Sequence, residues 1–217
     1  MNPNNILSIC VAGHWRQGQG ELYASLYPAT GEAIAHLHAA SLADVEEAIQ
    51  GADAAFRNSG WAQRKPHERA AVLYRVAQLI RERAEPLAQR QRLDNGKPIS
   101  ETRGLVASAA ATFQFFAAAC ETLEETIAPM RGDCLTMSVY EPMGVVAAIT
   151  PWNSPIASEA QKLAPALAAM AGRGRGQRPV DFITNRPAEA AAGGLGASHR
   201  ACAIMEWGSC SSPSLIS

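Results

Sequence analysis

Apolar residues recur along this chain with two periods, and the switches between them mark the elements. Residues 21–26 and 34–37 alternate apolar with polar positions around Pro28-Ala-Thr-Gly31, turn chemistry that predicts a small β-hairpin. From residue 41 the period becomes helical. Ser41 is placed to cap a first helix, Asp44, Glu46 and Glu47 favour its early turns, and Leu42, Val45, Ile49, Ala52 and Phe56 recur on one face, which is expected in the core. A second helix begins near Pro66, with Leu73, Val76, Ala77 and Ile80 inward and Arg75, Gln78 and Arg81 toward solvent. Pro86 breaks or restarts it. The next helical piece ends at Asn95-Gly96, a pair suited to a left-handed C-terminal cap. Ser100 opens another helix, whose seam is Val106, Ala109, Phe113, Phe116 and Cys120.

Residues 134–140 read as an extended segment entered from an Arg131-Gly132-Asp133 turn. Residues 145–149 form an unbroken apolar run, which suits a parallel strand covered on both faces. Pro151 ends that run. Ser154-Pro155 then supplies a capping hydroxyl followed by proline at the first helical position. Ile156, Ala160, Leu163 and Leu167 share one side of the helix that follows, and Pro165 is expected to kink it. Asn153 therefore falls where a strand exit meets the first turn of a helix, the usual ligand position in open α/β sheets. Residues 172–217 carry seven glycines and three prolines with no sustained period, so little of that stretch is expected to be well ordered.

Composition narrows the function classes. The 217 residues are 47% hydrophobic and carry a formal charge of −1, the balance of a soluble globular protein with ample core material. No basic stripe points to nucleic acid. The most apolar stretch, residues 105–120, is interrupted by Ser108, Thr112 and Gln114 and reads as a core helix, so no membrane span is expected. No secretory signal pattern opens the sequence, which makes a cytoplasmic location the expectation. Five cysteines, at 10, 120, 134, 202 and 210, lack CxxC or zinc spacing and read as free thiols. His36 and His38 point the same way from one strand but have no third ligand, and the His199-Arg-Ala-Cys202 cluster lies in a glycine-rich stretch without supporting structure. No metal site is expected. Lys97 reads as a solvated lysine in a tight turn.

One family accounts for the motifs together. The run Gly144-Val-Val-Ala-Ala-Ile-Thr-Pro-Trp-Asn153 closely resembles the first strand and turn of the cofactor domain in NAD(P)-dependent aldehyde dehydrogenases. Tyr27-Pro-Ala-Thr-Gly-Glu32, Asp44-Val-Glu-Glu-Ala-Ile49, Trp61 ahead of Pro66-His-Glu-Arg-Ala70, and Asp94-Asn-Gly-Lys-Pro98 stand in that family's order. The resemblance covers about residues 12–171 and implies an α/β fold. Residues 1–171 are identified with an incomplete, aldehyde-dehydrogenase-like Rossmann-type cofactor domain with a helical amino-terminal region, in which 130–143 is a strand segment used in subunit assembly.

The same resemblance implies site chemistry. Asn153 would donate a hydrogen bond to the oxyanion of a thiohemiacetal, and Ile149, Thr150, Pro151 and Trp152 would line the nicotinamide end of the cleft. NAD or NADP is the implied acceptor and a small aldehyde the implied substrate. No Gly-x-Gly-x-x-Gly follows the strand, as in the family. After residue 171 the family's glycine, asparagine and lysine-proline-bearing second strand give way to Gly172-Arg-Gly-Arg-Gly-Gln-Arg-Pro179. Residues 172–217 are accordingly expected to be an unrelated or frameshifted tail. The general-base glutamate and the nucleophilic cysteine are then expected to be missing, leaving a truncated, inactive fragment with a weak hold on NAD(P). A non-catalytic partner of intact aldehyde dehydrogenase subunits is the alternative, through self-association or association with a full-length homologue.

Overall fold

The computed structural model describes residues 6–124, 127–129, 132, 136–137 and 144–169, apart from the side chain of residue 62. The expected hairpin is present. Strands β4 (Leu22–Leu26) and β5 (Ala33–His38) pair antiparallel, with Leu22 opposite His38 and Ser25 opposite Ala35. One further strand and one further hairpin have no expectation behind them. Strand β1 (Ile6–Leu7) runs parallel to β5, giving the order β1-β5-β4. Strands β2 (Ile9–Val11) and β3 (His14–Arg16) form a second, antiparallel pair. Their two-residue turn, Ala12-Gly13, has φ of 48° and 79°, the left-handed pair that matches strand twist in the tightest hairpins.

Helix α1 (Leu42–Asn58) opens on a complete capping box, in which Ser41 accepts from the Asp44 amide and the Asp44 carboxylate accepts from the Ser41 amide. Its buried row is Asp44, Ala48, Ala52 and Phe56, a strict i+4 line. The expected core stripe is therefore corrected: Leu42 is 87% exposed and Ile49 is 41% exposed. A helix buries the line that its neighbour covers. Here the neighbours are the β2–β3 hairpin, which meets Ala48 through Ile9 and Val11, and Arg16 and Gln19, which bind Asp44.

After a single 3-10 turn at Trp61–Gln63, helices α2 (Pro66–Glu82), α3 (Ala84–Asn95), α4 (Ile99–Thr122) and α5 (Pro155–Ala169) build the main core. Phe56, Trp61, Leu73, Phe113 and Leu167 meet there, joined by a series of alanines that let α4 and α5 approach closely. Each large apolar side chain so buried contributes about 1.5–3 kcal/mol. The seam expected on α4 is in place, with Val106, Ala109, Phe113 and Cys120 buried and Phe116 packed at its edge. Among the described residues, α4 is long and apolar enough to cross a membrane by length and composition; in this fold that seam packs into the protein core.

Residues 145–149 depart from expectation. They belong to no ladder among the described residues, and the run is only partly covered. Ala148 and Thr150 are buried at 6% and 7%, while Val146 and Ile149 are 42% and 73% exposed. An apolar run expresses a tendency to be buried, whereas a strand also needs neighbours to exchange hydrogen bonds with. Most of 130–143 and all of 172–217 lie outside the described residues, so the assembly strand and the tail are not placed. Within the first, Ile127 bridges Met137 antiparallel, and the Ala128 amide donates to Thr136 O at 3.1 Å.

Candidate functional site

The chain leaves the buried Thr150 as Pro151-Trp152-Asn153-Ser154 and enters α5 at Pro155. Proline at that first position gives up a backbone donor that has no intrahelical acceptor anyway, and its fixed φ suits the helix. The Ser158 amide donates to Ser154 O at 3.0 Å, which closes the first turn. The positive end of the α5 dipole thus sits beside Asn153.

The structure brings the sequence-derived site residues together as one exposed turn with a buried anchor. Thr150 is the anchor; Ile149, Pro151, Trp152 and Asn153 face outward. Ile149 is 73% and Trp152 46% exposed. Among the described residues the Asn153 side-chain amide has no hydrogen-bond partner, so its donor is uncommitted. Its main chain is not: Asn95 Nδ2 donates to Asn153 O at 3.3 Å. Among the described residues, then, the Asn153 side chain is unengaged while the backbone carrying it is held by Asn95.

Three nearby groups were not singled out from sequence. Asn95 was readable only as a helix cap, and nothing in a single sequence couples it to a residue 58 positions on. Glu159, on the second turn of α5, is largely buried, and desolvation pushes its carboxyl up to about 7. A charge inside the apolar pattern Ile156, Ala160, Leu163 was its available signal. Gln91, one turn before Asn95 on α3, is buried with both ends of its carboxamide unpaired. Lys97, expected to be merely solvated, forms an ion pair with Glu101 one turn along α4.

Other candidates separate from this site. Cys10 and Cys120 are buried free thiols. Cys120 Sγ donates at 3.5 Å to Pro66 O and to Ala168 O, which makes it a packing residue between helices. Cys134, Cys202 and Cys210 fall outside the described residues, as does His199. His38 Nδ1 lies 3.0 Å from Gly20 O. Among the described residues no group of three metal-capable side chains occurs.

A family model described as the aldehyde dehydrogenase family matches residues 15–171. Aminoacetaldehyde dehydrogenase of Pseudomonas aeruginosa is 39% identical over 151 residues, which is 69% of this chain and 30% of that protein. The putative aldehyde dehydrogenase DhaS of Bacillus subtilis is 36% identical over 150 residues, again 69% and 30%. Among solved structures, an NAD-dependent aldehyde dehydrogenase from Sinorhizobium meliloti superimposes with a TM-score of 0.73 at 30% identity, over 77% of this chain and 34% of that one. PnpE in complex with nicotinamide adenine dinucleotide gives 0.73 at 30%, over 82% and 35%. The chain spans about 30% of the length of the curated relatives it matches.

Proposed function

Because the chain belongs to the aldehyde dehydrogenase family, we propose that its 149–153 turn serves aldehyde oxidation with NAD or NADP as hydride acceptor. Asn153 is the oxyanion donor. Ile149, Thr150, Pro151 and Trp152 form the nicotinamide side of the site, with Ile149 and Trp152 supplying the apolar surface. The observation that carries this reading is the uncommitted Asn153 amide on a backbone held by Asn95. One oxyanion donor is worth about 2.7–4 kcal/mol of barrier, against at least about 8 kcal/mol for an enzyme's whole acceleration.

Nucleophile and general base therefore have to come from elsewhere, and the two described cysteines are both buried. On this reading the 217-residue chain alone oxidises no aldehyde and holds NAD(P) weakly. The exposed Val146 and Ile149 side chains favour self-association, or association with a longer homologue, as its route into a complete site. The test is a titration of the labelled chain with NAD+ and NADP+, read residue by residue by NMR, beside an assay for NADH with a panel of aldehydes. Perturbation confined to 149–153 at millimolar cofactor, without turnover, is expected. Perturbation centred elsewhere would remove the site assignment, and NADH formation would remove the incompleteness.

A further inference from the structure

The Asp94-Asn95-Gly96-Lys97-Pro98 run has no place in the chemistry proposed above, yet it touches the Asn153 turn directly. Helix α3 ends at Asn95, and Gly96 follows in the left-handed conformation at φ 73°. The Asn95 carboxamide spans the two sides of that turn. Its Oδ1 accepts from the Lys97 amide at 3.1 Å, and its Nδ2 donates to Asn153 O at 3.3 Å. A carboxamide has one accepting and one donating end, so these two partners fix its orientation: the reversed group would oppose oxygen to oxygen and N–H to N–H.

The end of α3 is itself anchored. Ser25 Oγ donates to Asp94 Oδ1 at 3.1 Å, and Arg92 Nη2 donates to the Tyr27 hydroxyl at 3.3 Å. Pro28 packs so closely on Gly96 that a β-carbon there would lie 3.0 Å from the Pro28 β-carbon. Asn95 therefore joins the Asn153 main chain to the β4–β5 hairpin, while on its other side the Ser158 to Ser154 bond begins α5.

We propose that Asn95 is a positioning residue for Asn153: its amide donor holds the Asn153 peptide group and so fixes where the oxyanion-binding side chain is presented. The consequence for catalysis rests on the role proposed for Asn153. The clamp itself is read without turnover.

The experiment is amide hydrogen exchange on the full 217-residue chain, compared with Asn95→Asp and Asn95→Ala. At pH 7, Asn95→Asp keeps an acceptor for Lys97 but loses the donor and sets a negative oxygen against Asn153 O. Protection at Ser158, whose amide donates to Ser154 O in the peptide next to Asn153, should fall by about tenfold, the scale of one hydrogen bond, with α2 and α4 protected as before. Below about pH 3.9, the ordinary range for aspartate, the introduced carboxyl regains a donor and protection should recover. Asn95→Ala, which has neither group, should lose protection equally at both pH values.

Unchanged protection at Ser158 in Asn95→Asp at pH 7 overturns the proposal. So does loss that spreads equally through α2 and α4, or loss that does not recover on protonation. A failed cofactor titration with an intact exchange signature would instead remove the catalytic reading and leave the clamp.

Discussion

The carboxyl of Glu159 is protonated more readily in the fold than in water because burial disfavours its charged form, from an ordinary 4.5 up to about 7. A folded-state value above the unfolded one means the folded chain holds the proton more tightly. The associated stability is complete below pH 4.5 and is lost as pH rises through about 7. At about 1.36 kcal/mol per unit, the difference is worth about 3 kcal/mol. Urea unfolding from pH 4.5 to 7.5 should show that decline in the native sequence and a nearly flat profile in Glu159→Gln; a slope that persists in the variant assigns it to another group. Arg69 is the opposite case, a guanidinium 1% exposed whose Nη1 donates to Arg64 O at 2.5 Å while Nε and Nη2 have no acceptor among the described residues. Taking a charge out of water costs several kcal/mol, and replacing buried ionic groups by apolar side chains of similar volume is often neutral or stabilising. Arg69→Met should therefore raise the unfolding free energy by about 1 kcal/mol or more, and a loss in the same urea measurement would show that the single bond to Arg64 outweighs the burial.

Turns and caps were the best-resolved elements in the sequence, because their chemistry is local. Asn95-Gly96 ends α3 with glycine left-handed, and Ser41 with Asp44 starts α1, both as the residue types demand. The buried face of α1 was not accessible in the same way. Leu42 and Ile49 satisfy the helical period but face outward, whereas Asp44 lies in the core because Arg16 at 2.8 Å and the Gln19 amide at 2.9 Å meet it there. Burial raises that carboxyl, but the hydrogen bonds from Ser41 and Gln19 and the Arg16 charge outweigh it and hold it below its usual value. Likewise the i+4 line Arg69, Leu73, Ala77 placed Arg69 inward, a signal present in the sequence but hidden by the expectation that arginine is solvated. The α3 cap permits a quantitative test by comparison with Gly31, which has φ 75° but open space, while Gly96 meets Pro28. Gly31→Ala should cost about 1 kcal/mol for backbone strain alone and Gly96→Ala about 1 kcal/mol more; equal melting-temperature losses would mean Pro28 yields freely.

The larger arrangement is two cores of unequal size, one around α2, α4 and α5 and a small one between α1 and the β2–β3 hairpin, with the site turn emerging from the first. Family membership supplies the α/β class, and Asn95 at the end of α3 holds the Asn153 main chain. Residues 145–149 remain the exception at this scale, because a sheet position is a relation among segments and a single apolar run contains only one of them. Among the described residues, no backbone hydrogen bond engages 144–150. A segment with no strand partner among the described residues, carrying exposed Val146 and Ile149, is a candidate for pairing with another chain. Sedimentation of the purified chain should accordingly show association that strengthens with concentration. Val146→Lys places a charge on that edge without altering the 149–153 turn and should shift the equilibrium toward monomer by about tenfold, the effect of roughly 1.4 kcal/mol. If the variant associates as strongly as the native sequence, contact is made through another surface, and the exposed edge is not what draws this chain to a partner.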